Sequence, residues 1–138
     1  IEQMLANMSP ETVLIKLAWH LETRAMSVVD GLLSEQYPVS TLPFEQALNW
    51  CWIEFFQNNG LTTRQLARAE GDIGREFEVR VRDLTPEGLE LFRTGYQAWL
   101  HALDRRQGSE QIAFLRNRNT RILERHLRKV REDGKARK

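Results

Sequence analysis

Residues 43–92 read PFEQALNWCWIEFFQNNGLTTRQLARAEGDIGREFEVRVRDLTPEGLELF, and the order of elements in this stretch decides the fold. Leu48, Cys51, Trp52, Phe55 and Phe56 recur at spacings of three and four with Ile53 alongside, which predicts a mostly buried helix. Pro43 suits its first turn, Thr41 could cap it, and Asn58-Asn59-Gly60 ends it, because Asn and Gly accept the left-handed conformation of a helix stop. Farther on, Phe77, Val79 and Val81 alternate with Glu76, Glu78, Arg80 and Arg82, the period of two of a half-buried strand. Leu84-Thr85-Pro86-Glu87-Gly88 starts another helix, with Thr as the cap and Pro at the first position.

Between these landmarks Leu61–Ala67 has two readings. As a strand it would pair with Phe77–Val81 through a turn over Arg68–Gly74, where Gly71-Asp72 and Gly74 supply turn chemistry. As a helix, Thr62–Ala69 would be capped by threonine. The alternation downstream favours the hairpin, since a lone strand leaves its backbone groups unpaired.

Outside this stretch, Ser9-Pro10-Glu11 reads as a helix start, and Val13, Leu14, Leu17, Leu21 and Val28 extend an amphipathic helix from Pro10 to about Val29. Ser34–Pro43 reads as a turn, with the second helix of a helix-turn-helix between about Val28 and Leu42. After Pro86, Leu89, Phe92, Tyr96, Trp99, Leu100 and Leu103 carry a helix to about Arg106. Gly108 ends it and Ser109 caps a last one, along which Ile112, Leu115, Asn119 and Ile122 follow helical spacing. Leu123, Leu127 and Val130 lie on the adjacent face, and Arg116, Arg118, Arg121, Arg125, Arg128 and Arg131 occupy the remainder.

Composition narrows the classes. The 138 residues suffice for one domain with a core, and no apolar run approaches the roughly 20 residues of a membrane span. Ile1–Met8 has neither the basic start nor the apolar run of a signal peptide, and Cys51, the one cysteine, excludes an internal disulfide, so a cytoplasmic protein is expected. The net charge of +1 hides an asymmetry: ten basic and fifteen acidic residues precede Glu110, whereas ten basic and four acidic residues lie from Glu110 onward. An acidic body with a basic end points to a polyanionic partner or to pairing of the end with the body. No phosphate-binding glycine loop, nucleophile–histidine arrangement or metal-ligand spacing involves His20, His101 or His126. No enzyme, metal or cofactor is therefore expected, and Trp50, Trp52 and Cys51 read as core residues.

The helix ending in Phe56-Gln57-Asn58-Asn59-Gly60-Leu61, the charged hairpin and Leu84-Thr85-Pro86-Glu87-Gly88 together resemble bacterial winged-helix regulators of the MarR, PadR and HxlR type. In those proteins a recognition helix runs into Gly-Leu, a two-stranded wing follows, and Leu-Thr-x-x-Gly opens the next helix. The resemblance covers about 50 residues, or about 80 with the first helix and Ser34–Pro43 included. It implies a mainly α fold with a small β-hairpin, a winged helix-turn-helix over residues 1–108 and a basic C-terminal helix over 109–138.

It further implies transcriptional regulation through duplex DNA. Phe44–Asn59 would enter the major groove, with Gln46 and Asn49 on adenine edges, and Arg64, Arg68 and Arg75 of the wing would contact phosphates. A homodimer would form on Ile112, Leu115, Asn119, Ile122, Leu123 and Leu127, Asn119 setting the register. The chain departs from the pattern in one respect. Phe44–Asn59 carries no Lys or Arg but has Glu45 and Glu54, and Glu70, Asp72, Glu76 and Glu78 flank the wing arginines. A module that binds protein instead of DNA is the alternative.

Overall fold

The computed structural model describes residues 9–18 and 42–136. Those residues are mainly helical, with one two-stranded antiparallel sheet. The strands are β1 (Val13–Lys16) and β2 (Glu78–Arg80). The helices are α1 (Leu42–Asn58), α2 (Pro86–Leu91), α3 (Gln97–Asp104), α4 (Ser109–Arg116) and α5 (Arg121–Ala136). A π-helical turn, Phe92–Tyr96, joins α2 to α3.

Helix α1 organises the core. Leu48, Cys51, Trp52, Ile53 and Phe56 are all buried along it, as their spacing requires. Trp52 meets Phe56, Phe92 and Tyr96 edge-on, at centroid distances of 5.1, 5.9 and 5.4 Å. The helix stops where expected: Gly60 takes φ +68°, Asn59 Nδ2 donates to Phe55 O at 2.8 Å, and the Leu61 amide closes onto Phe56 O at 2.9 Å. The next helix start also holds, with Thr85 Oγ1 accepting from the Gly88 amide at 3.0 Å.

The start of α2 lies directly against the backbone leaving α1. Thr85 N–H donates to Leu61 O at 3.0 Å, and a Cβ on Gly88 would stand 2.3 Å from that same oxygen. Backbone cannot step aside as a flexible side chain can. Gly88→Ala is therefore expected to cost about 3 kcal/mol, at the upper end of overpacking effects, measurable as a lower urea midpoint.

The sheet differs from the expected hairpin. The alternation around Val79 is present, with Val79 buried and Glu78 and Arg80 half-buried, but its partner is β1: Val13 pairs with Arg80, Ile15 with Val79 and Lys16 with Glu78. Leu61–Ala67 contributes only an isolated bridge, Thr62 to Leu84. It is not a helix either. A side chain meets its backbone demand: Gln57 Oε1 accepts from the amides of Leu66 and Ala67 at 2.6 and 3.1 Å, and Gln57 Nε2 donates to Ala67 O at 3.0 Å. With those groups satisfied, no second wing strand is needed there.

The first helix is corrected at its start. Ser9 makes a turn, accepting from the amides of Glu11 and Thr12, and the β-branched Val13 and Ile15 then run extended. Helical backbone begins at Leu17. The rest of that expected helix, His20, and the proposed second helix of the helix-turn-helix lie outside the described residues.

The last helix is two helices. Asn117–Thr120 breaks it, Arg118 taking a left-handed φ of 50°, and Trp99 Nε1 holds the turn by donating to Asn119 O at 2.8 Å. This reversal lays α5 across the π-helical turn. Gly95 permits the contact, since a Cβ there would lie 2.9 Å from His126 Cβ. Phe114, Leu115, Leu123 and Leu127 thereby join the same core as Trp52 and Trp99.

Candidate nucleic-acid interface

A groove-reading helix needs unoccupied polar side chains on an exposed face. On α1 almost none remain. Asn49 is 2% exposed; its Nδ2 donates to Glu45 O at 2.8 Å, and its Oδ1 accepts from Trp52 Nε1 at 3.0 Å. It is a core amide that holds the tryptophan, which corrects its assignment as an adenine reader. Gln57 is committed to Leu66 and Ala67, and Glu54 accepts from Arg118 Nε at 3.2 Å. Glu45 is buried. Of the two expected base readers, only Gln46 is partly exposed.

The arginines of the expected wing are at the surface. Arg64, Arg68 and Arg75 are all exposed. Arg64 is fixed through Nε to Asp83 Oδ1 at 2.9 Å, whereas Arg68 and Arg75 make no side-chain hydrogen bond among the described residues. The 64–75 segment is moored to the end of α1 by Gln57 and closed by a short turn, in which Asp72 Oδ2 accepts from the Arg68 amide at 2.8 Å.

The expected dimer seam is largely used within the chain. Leu115, Leu123 and Leu127 are buried in the core, Asn119 is tied to Trp99, and Ile122 packs partly against the core. Ile112, at 47% exposed, is the one seam residue turned outward. The spacing that suggested a partner helix is satisfied by α2, the π-helical turn and α3.

With Leu123 and Leu127 facing inward, the opposite side of α5 carries charge. Arg121, Arg125, Arg128 and Lys129 are exposed and follow one another at spacings that share a helix face. Arg131 and Lys135 extend the row, against Glu124, Glu132 and Asp133. The helix is about 24 Å long at ~1.5 Å per residue, or roughly seven base pairs of duplex. In the sequence these cations do not stand out, because their spacing reads equally as an ordinary solvated face until the opposite face is known to be buried.

Between α1 and α5 lies an open cleft of about 630 Å³, with Cys51, Phe55 and Leu127 at its apolar side and Arg118, Arg128, Arg131 and Lys135 among its charged wall residues. Arg131 ties α5 to α2 and to the residue that follows α1, its Nε donating to Glu87 at 3.1 Å and its Nη2 to Asn59 O at 2.9 Å.

Cys51 is chemically quiet. Burial pushes its thiol up from 9.0 to about 12; the Arg118 charge opposes that shift and the Glu54 charge adds to it. Burial likewise raises Tyr96 above its usual range, helped by Glu45 and Asp104. Both groups stay protonated in the fold at pH values where the unfolded chain releases the proton. Stability should thus be retained below pH 9 and fall as the pH rises from 9.0 toward about 12. Urea melts across that range check this, and Cys51→Ala should reduce the slope.

Among the described residues no group of His, Cys, Asp and Glu is arranged to hold a metal, and no helix is long and apolar enough to cross a membrane. Comparison with protein-family models, curated proteins and solved structures found no match.

Proposed function

We infer that this chain is a winged-helix-type protein that binds duplex DNA mainly through phosphates. It would use the outer face of α5 and the exposed arginines of the 64–75 segment, with α1 serving as core rather than as the groove-reading helix. The observation that carries this reading is the row Arg121, Arg125, Arg128 and Lys129, exposed on the side of α5 opposite its buried leucines. A rigid row of cations displaces counterions from the duplex, and that release dominates such affinities. Both basic elements are anchored to the end of α1, the 64–75 segment through Gln57 and α5 through the Arg131 contact with Asn59 O. A role in transcription follows from the resemblance. Sequence selectivity would rest on the shape of the DNA and not on Asn49.

Fluorescence anisotropy on a mixed-sequence duplex tests the reading. Six or so phosphate contacts predict that affinity falls about a thousandfold between roughly 50 and 200 mM salt. Absence of binding at low salt would favour the second reading, a module that binds protein. That alternative has its own support, because the polar side chains of α1 are nearly all committed internally.

A further inference from the structure

The three exposed arginines of the 64–75 segment are not equivalent. Arg64 is 58% exposed along its side chain, yet its Nε is held at 2.9 Å by Asp83 Oδ1, a residue only 2% exposed. Asp83 is itself fixed: its other oxygen, Oδ2, accepts from the Arg80 amide at 2.8 Å within the short turn Val81–Asp83. The surrounding backbone is laced to the same turn, Thr63 N–H donating to Asp83 O at 2.9 Å and Thr63 Oγ1 to Arg82 O at 2.7 Å.

Arg80 and Arg82 make a contrast. They pair with Glu11, which is exposed, and Arg80 also pairs with the partly exposed Glu78. The Arg82 pair is exposed and screened by water and salt, whereas the Arg80 guanidinium is already occupied, Nε and Nη2 by Glu78 and Nη1 by Glu11, and has no free edge to offer. Arg64 is gripped from below by a carboxylate that cannot swing away. Anchoring at Nε leaves the Nη hydrogens directed outward, apart from one long contact of 3.5 Å from Nη1 to Gln65 O. A guanidinium fixed at one edge and open at the other is suited to taking an anionic oxygen with little loss of side-chain freedom.

We propose that Asp83 is a positioning residue that presets Arg64 as a phosphate clamp for duplex DNA. This rests on the DNA-binding reading above. It carries a sign that simple electrostatics does not. Asp83 places a negative charge near the phosphate, so by charge alone Asp83→Asn should tighten binding. Positioning predicts the reverse, because Arg64 then loses its fixed pose.

The test is anisotropy on the same duplex with wild type, Arg64→Ala, Arg64→Lys, Asp83→Asn and the Arg64→Ala/Asp83→Asn double variant, each checked for folding by circular dichroism. Arg64→Ala should weaken binding about five- to tenfold and reduce the salt slope by about one. Arg64→Lys keeps the charge but lacks the fork, and should resemble Arg64→Ala more than wild type. Asp83→Asn should weaken binding several-fold on its own and have no further effect in the Arg64→Ala background. Unchanged or tighter binding by Asp83→Asn, or an equal effect in both backgrounds, would overturn the proposal. Should Asp83→Asn fail to fold, Arg64→Lys decides: wild-type affinity in that variant would overturn the clamp. If wild type binds no duplex at low salt, the DNA-binding reading fails and takes the clamp with it. Duplex binding that is indifferent to Arg64 removes the clamp alone.

Discussion

Trp52→Ala should remove a large share of the folding free energy, lowering stability by about 4 kcal/mol out of a typical total of roughly 5–15 kcal/mol. Trp52 is fully buried where α1 meets the π-helical turn, with Phe56, Phe92 and Tyr96 around it. Truncation to alanine leaves a cavity that this rigid aromatic cluster cannot collapse to fill. It also strands a polar atom: Asn49 Oδ1 accepts from the indole N–H, and burial keeps water from replacing that donor. Urea unfolding followed by circular dichroism measures the loss. Trp52→Phe should recover part of the packing but leave the Asn49 oxygen unsatisfied, and so fall between the two.

The helices were legible where a local signal settles them. The spacing of Leu48, Cys51, Trp52 and Phe56, the Asn58-Asn59-Gly60 stop and the Thr85 cap act within one or two turns of chain. The alternation around Val79 correctly marked a strand, but its partner could not be read locally. β1 lies more than sixty residues earlier, and the nearer candidate, Leu61–Ala67, satisfies its amides through the side chain of Gln57. Such a substitution of side chain for strand leaves no periodic trace. The break at Asn117–Thr120 was hidden for a similar reason, because it contains neither Gly nor Pro and Arg118 adopts the left-handed conformation itself.

The candidate site was legible in part. The surface position of Arg64, Arg68 and Arg75 followed from their charge. Asn49 was misread as a base contact although it stands three residues before Trp52, within reach of that indole on the same helix face. The dimer seam shows the same ambiguity. An apolar stripe on a terminal helix is identical in sequence whether it covers a partner or its own chain, and Leu115, Leu123 and Leu127 cover their own.

A second large effect is expected on binding. Replacing Arg121, Arg125, Arg128 and Lys129 together with glutamine should abolish detectable duplex binding near physiological salt while leaving the fold intact. All four side chains are exposed on α5, and glutamine keeps their helix propensity close to unchanged. Removing four phosphate contacts should lower the slope of log affinity against log salt by about 3.6. Glu124→Gln and Glu132→Gln, at acidic positions of α5, should act in the opposite direction and strengthen binding. Circular dichroism and urea melts separate a loss of contacts from a loss of structure.

Backbone amide shifts of the labelled protein titrated with a short duplex measure directly where the duplex lies. The expected shifts map to residues 121–132 of α5 and 63–75, with the buried amides of residues 48–56 in α1 unmoved. Shifts concentrated at Gln46 and along the exposed edge of α1, with α5 silent, would contradict it.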